Sequence, residues 1–281
     1  MMDHLSSTCG ASTSFGVSIR MIIVIICVSL SATLIGAISG IGGGVIIKPA
    51  LDALDLYATE TVNFLSGTTV LAMTTVSLIK NRYGSIKVHA GIATPLAIGG
   101  VLGGAAGKQF FSLLQATGIR DSLLGMTQNS ILVLLTVAVF IYVLKKEKIY
   151  TLHINNRPVA FFAGVVLGVF SSFLGIGGGP INIMVLSFLF SMETKEAALN
   201  SLYVIFFSQL STLLLNLFQG TVPQVDILIL MMMIMSGIIG ALLGRRLSQR
   251  LTNMHIDRLF LGVMILIIGL SISNVFRFAV S

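Results

Sequence analysis

Charge is scarce in this sequence. Of 281 residues only 10% are Asp, Glu, Lys or Arg, against 55% hydrophobic, and the mean hydropathy is +1.00. A soluble domain carries roughly 25% charged residues, so a water-facing surface of this size is excluded. Intrinsic disorder fails for the same reason, because disordered chains are poor in apolar residues. The scarcer sign is the acidic one, 10 Asp+Glu against 17 Lys+Arg, for a net charge of +7. That excess could suggest a nucleic-acid partner, but it sits in short loops between apolar runs, the pattern of cytoplasmic membrane loops. No nucleic-acid partner is therefore expected. Cysteine is scarcer still: Cys9 and Cys27 are too few for a disulfide framework and lack metal spacing. No HExxH, CxxC, GxSxG or Walker sequence occurs, so an enzyme would have no nucleophile or metal set. Neither enzyme activity nor a cofactor is expected.

Long uncharged runs are what the sequence does have. They cover Met21–Ile47, Thr61–Ile79, Ala90–Gly107, Ser122–Leu144, Pro158–Met192, Ala197–Val225, Ile227–Gly244 and Leu259–Phe276. A membrane-spanning helix needs about 20 apolar residues, whereas barrel strands are shorter and alternate in polarity. The expected fold is an all-α integral membrane protein with about eight full spans and extra structure inside the long first and fifth runs. The first run, preceded by Arg20, has the look of a signal peptide, but an internal repeat argues that it stays in the mature protein.

That repeat starts at the glycines. Gly40-Ile41-Gly42-Gly43-Gly44 recurs as Gly175-Ile176-Gly177-Gly178-Gly179, an offset of 135. The same offset pairs Leu51 with Leu186, Thr59 with Thr194, Ser66 with Ser201, Leu78 with Leu213 and Asn81 with Asn216. It then drifts to 136 or 137, pairing Gly84 with Gly220, Gly103 with Gly240, Gly107 with Gly244 and Asp121 with Asp257. Self-similarity of this length implies two related halves. The expected division is a tail over 1–19, a first transmembrane repeat over 20–150 and a second over 151–281.

Basic residues cluster after the second long run (Lys80, Arg82, Lys87), between the halves (Lys145, Lys146, Lys148, Arg157) and before the last run (Arg245, Arg246, Arg250, Arg258). Placing all three clusters in the cytoplasm puts equivalent loops of the two halves on opposite sides, 80–87 inside and 219–224 outside. Such inverted repeats are common in secondary transporters. A parallel repeat with a re-entrant segment is the alternative, and it would expose the Arg245–Arg258 cluster outside.

A GIGGG sequence breaks a membrane helix, since glycine is a poor helix former. Apolar segments of about 12 residues follow each break, too short to span the bilayer alone. Each reads as a half-helix starting at the glycines, with Pro180 suited to a first turn. Exposed amides and the positive dipole end at such a start favour an anion. The substrate-binding candidates are therefore Gly42, Gly43 and Gly44 with Gly177, Gly178 and Gly179. The opposing reading is that these glycines only let helices approach closely. Lys48, behind the first break, is either an anion ligand or the i,i+4 partner of Asp52; its equivalent in the second half is Ile183. Asn182 offers a neutral donor where the first half has Ile47. Ser66 and Ser201 head polar stripes on the next helix of each half and complete the candidate set. The Met231–Met235 run reads as lipid-facing or packing surface, His89, His153 and His255 as helix-end or loop residues, and the GxxxG pairs Gly103/Gly107 and Gly240/Gly244 as tight helix contacts.

The doubled GIGGG unit, each followed by a short apolar segment, a Ser-bearing helix, a turn at Gly84 or Gly220 and a glycine-rich helix, resembles the sulfite exporter TauE/SafE family of bacterial and archaeal membrane transporters. The resemblance runs from about Arg20 to Phe276. Pro49 follows the first motif as in many members, whereas the second half has Pro180 directly after the glycines and Met184 opposite Pro49. The resemblance implies a secondary transporter, by name an exporter, of small sulfur-containing anions such as sulfite or organosulfonates, in the cell membrane. Its partners would be that anion and the lipid bilayer, with a homo-oligomer compatible. An anion channel for another substrate class would carry the same repeats and breaks, and differs in flux and coupling. A membrane-embedded enzyme or assembly subunit is disfavoured by the missing catalytic groups.

Overall fold

The computed structural model describes residues 19–82 and 86–280. Gly84 and the tail with Cys9 lie outside the described residues. Ten helices follow one another, with no strand among the described residues: α1 Ile19–Ser39, α2 Gly44–Leu54, α3 Thr59–Asn81, α4 Ala90–Ala116, α5 Asp121–Lys145, α6 Arg157–Leu174, α7 Gly179–Phe190, α8 Thr194–Gln219, α9 Ile227–Arg250 and α10 Asn253–Val280. Eight are long and apolar enough to cross a membrane; α2 and α7, at 11 and 12 residues, are not. At 1.5 Å per residue they reach about 16–18 Å.

Local chemistry fixes the ends. Pro158 occupies the first turn of α6, where its missing N–H costs nothing. Asp226 caps α9, its carboxylate accepting from the Leu228 amide at 2.8 Å. Gly220 terminates α8 in the left-handed conformation.

Packing joins the first five helices to the last five. The first helix of each set of five lies along the fourth of the other set, α1 on α9 and α6 on α4, while α5 packs on α10 and α3 on α8. The glycine stripes make this approach close. A Cβ on Gly99, Gly103 or Gly107 of α4 would overlap the α6 backbone at Phe161, Val165 and Val169. Gly240 and Gly244 of α9 meet α1 at Thr33 and Leu34 in the same way. Both GxxxG pairs are thus tight helix contacts. Of the methionines, Met231 and Met235 are exposed on the outer apolar surface and Met233 is buried.

The polar contacts sort the loops into two ends of the bundle. At one end Arg245 donates to the Ser77 carbonyl (3.3 Å), Lys146 pairs with Asp257, the His89 amide donates to Asn200 (3.0 Å), and His89 pairs with Glu196. All three basic clusters belong to this end. At the other end Lys108 faces Glu60 (3.8 Å) and Arg277 pairs with Asp55 (3.1 Å). Tyr57 also lies there, and burial, reinforced by the Asp226 carboxylate, raises its hydroxyl above the usual tyrosine range.

Candidate functional site

The two GIGGG segments meet at the centre of the bundle, and all ten of their residues are buried. Three glycines in each have positive φ at equivalent positions: Gly40, Gly42 and Gly43 at 77, 86 and 60°, and Gly175, Gly177 and Gly178 at 65, 78 and 74°. Residues with a Cβ rarely adopt this region, so the backbone path itself requires glycine. The fourth glycine, at the fifth position of the motif, is there for a different reason. A Cβ on Gly44 would lie 2.7 Å from the Ile176 carbonyl oxygen, and one on Gly179 would overlap the Ile41 carbonyl. Each motif therefore needs the other's backbone at contact distance. Neither α2 nor α7 has a side-chain cap at its N-terminus, leaving two short helix starts with positive dipole ends close together in a buried place.

Side chains around the crossing come from α3 and α8. Val70 and Ile205, related by the repeat offset, both lie over Gly42 and Gly177: a Cβ on Gly42 would stand 2.8 Å from Ile205 Cδ1 and 3.7 Å from Val70 Cγ1. Ser201 donates to the Gly40 carbonyl at 2.8 Å, and Ser66 approaches the Gly44 carbonyl at 3.5 Å. Both candidate serines thus touch the first motif and hold its carbonyls. Asn182, 1% exposed, stands beside Gly178, and its Oδ1 has no hydrogen-bond partner among the described residues.

Lys48 has a carboxylate partner. Its Nζ lies 3.2 Å from Asp52 Oδ2, both side chains being 1% exposed. Asn129 of α5 donates to the same carboxylate oxygen (3.1 Å), and Asn274 of α10 donates to the Pro49 carbonyl (2.8 Å). The pair is one knot tying α2 to α5 and α10. The equivalent place in the second half holds Ile183 and Ser187.

Two cavities flank the crossing. The one at the end away from the basic clusters, about 40 Å³, is lined by Glu60, Asn63, Lys108, Ser171, Gly175 and Gln209 among others. The Asn63 Oδ1 that borders it has no partner, and a Cβ on Gly175 would overlap that amide. Gln209 spans the distance inward, its Nε2 3.5 Å from a Cβ placed on Gly177. The cavity at the basic end, about 290 Å³, is lined by Ala37, Ser77, Asn81, Lys195, Arg245 and Ser248 among others. Sequence patterning alone does not single out Glu60 and Lys108. The uncharged run stops at Gly107, yet α4 continues to Ala116 with Lys108 buried inside it. The available signal was the repeat: at the offset of 137 that matches Gly107 with Gly244, Lys108 corresponds to Arg245.

A family model described as "Sulfite exporter TauE/SafE" matches residues 25–272, nearly the whole chain. Neither a curated protein nor a solved structure gives a match.

Proposed function

This chain belongs to the sulfite exporter TauE/SafE family, and from that premise we propose that it is a secondary transporter that exports small sulfur-containing anions, such as sulfite or organosulfonates, across the cell membrane. The substrate sits between the starts of α2 and α7, at the depth where the two glycine motifs cross. The observation that carries this reading is that crossing: two uncapped, buried helix N-termini held within backbone contact of each other, Gly44 on Ile176 and Gly179 on Ile41. Amides of Gly42 to Gly44 and Gly177 to Gly179 are the donors to the anion, for which such positive ends are suited; those of Gly42 and Gly44 exchange it for the Gly36 and Gly42 carbonyls to which they donate in its absence. Asn182, beside Gly178, offers its Nδ2 as a neutral donor to it, and Ser66 and Ser201 fix the carbonyls of Gly44 and Gly40 so that the amides keep their direction. Lys48 adds positive potential behind the first break, with Asp52 as its resting partner.

The two sets of five helices are inverted repeats related by an axis in the membrane plane. Support comes from the ends of the bundle. The loop after α3 shares an end with Arg245 and Glu196, while the loop after α8 shares the other with Glu60 and Lys108, Pro223 bordering the same cavity. Inversion lets one half rock against the other around a fixed central site.

The test is efflux and uptake in proteoliposomes against sulfite, thiosulfate, sulfoacetate and sulfate. Saturable transport of at least one, lost on Gly43→Val or Gly178→Val in correctly inserted protein, is the expected result. Absence of transport for the whole panel would remove the substrate assignment. Unsaturable, uncoupled conductance would make the protein a channel.

A further inference from the structure

The two cavities have equivalent linings. Applying the repeat offset of 135 up to Asn81/Asn216 and 137 beyond it, Glu60 corresponds to Lys195, Thr212 to Ser77, Asn216 to Asn81 and Lys108 to Arg245, and each member of a pair borders the cavity opposite its partner's. Their charge differs. In the smaller cavity the Lys108 ammonium, 8% exposed, faces the Glu60 carboxylate at 3.8 Å. In the larger one the carboxylate is replaced by Lys195. Among the described residues Arg245 there donates to the neutral Ser77 carbonyl, at 3.3 Å, and pairs with no carboxylate. Residue Ser77 is 5% exposed and borders the cavity, and its hydroxyl has no hydrogen-bond partner among the described residues.

We propose that Arg245, Lys195 and the Ser77 hydroxyl form an anion-capture site in the basic-end cavity, taking a small tetrahedral or pyramidal oxyanion before it reaches the glycine crossing. This rests on the anion-transport reading above and adds to it a second, peripheral site with a defined side. Two cations and no carboxylate line this cavity, Glu193 and Glu196 bordering the neighbouring one that Lys195 also reaches, and such a lining raises the local anion concentration in a low-dielectric mouth. A planar guanidinium offers paired donors to an oxyanion. The volume of about 290 Å³ accommodates such an ion with its water, whereas about 40 Å³ at the opposite end holds a few waters. The Glu60–Lys108 pair makes the opposite cavity the neutralised counterpart: the same positions, with the positive charge already satisfied.

The experiment uses the full chain in vesicles, with Cys9→Ser and Cys27→Ser as background and Ser248→Cys as reporter in the cavity. The rate of labelling by a membrane-impermeant thiol reagent is measured with and without sulfite, and with phosphate as a sulfur-free oxyanion. Protection by sulfite of at least fivefold is expected. It should be lost on Arg245→Gln, and lost on Lys195→Glu, which copies the charge arrangement of the opposite cavity. Arg245→Lys keeps the charge and should retain most of the protection, which separates lost charge from lost fold. Protection by neither anion, or protection unchanged in Arg245→Gln and Lys195→Glu, overturns the capture site; sulfite transport in those same vesicles would then show the central site surviving without it. Protection by phosphate and not sulfite supports the capture site while removing the sulfur assignment.

Discussion

Gly44 and Ile176, 132 residues apart in sequence, are neighbours at the centre of the bundle, where a Cβ on the glycine would lie 2.7 Å from the isoleucine carbonyl oxygen. The reciprocal contact, Gly179 on Ile41, repeats it with the halves exchanged. A backbone-to-backbone contact this close tolerates no side chain on either face.

Gly179→Ala should therefore lower stability by about 1–3 kcal/mol, the range for overpacked interiors, although alanine is the better helix former. Gly262→Ala is the matched control: that glycine is helical with open space around it, and the exchange should stabilise by about 1 kcal/mol. Thermal unfolding in detergent reads both. Equal shifts would mean that the two motifs do not press on each other.

Lys48 and Asp52 provide the second prediction. Each ion is buried and depends on the other, so Lys48→Ala or Asp52→Ala leaves a lone charge and should cost about 3–5 kcal/mol. Removing both together, as Lys48→Met with Asp52→Leu, should restore most of that loss. A thermal-shift series over the three variants decides it. Additive losses in the double variant would show that the two side chains are not a unit.

That pair could be read from the sequence because its members are four residues apart on one helix. The eight long apolar helices and the GxxxG contacts were legible for the same reason, since each is carried by local composition and spacing. Lys108 was not. A lysine at the end of an apolar run looks like a boundary, and its carboxylate partner Glu60 lies on another helix, 48 residues earlier. The cavities were equally hidden, because each draws residues from both halves. Val70 and Ile205 are two apolar residues among many until folding brings them over the glycines.

Orientation supplies the third prediction. With a cysteine-free background, Lys87→Cys and Val222→Cys should label from opposite faces of the membrane, because the loop after α3 and the loop after α8 lie at opposite ends of the bundle. Impermeant reagents applied to right-side-out and inverted vesicles give the answer directly. Labelling of both from one face would rule out inverted halves.

The last prediction concerns what stands in front of the glycine amides. Val70 and Ile205 present methyl groups to Gly42 and Gly177 from α3 and α8. If the proposed anion site lies at those amides, these methyls stand beside it and bound the size of what fits. Ile205 is fully buried, and Ile205→Ala should cost about 2–5 kcal/mol through the cavity it leaves. The same space should favour the bulkier anion, so the ratio of sulfoacetate to sulfite transport should rise severalfold. Ile205→Leu keeps the volume and should leave the ratio near its starting value, which separates altered shape at the crossing from a general loosening. A ratio that stays constant while stability falls would place Ile205 in the packing alone and move the size filter to the Gln209 and Asn63 amides bordering the smaller cavity.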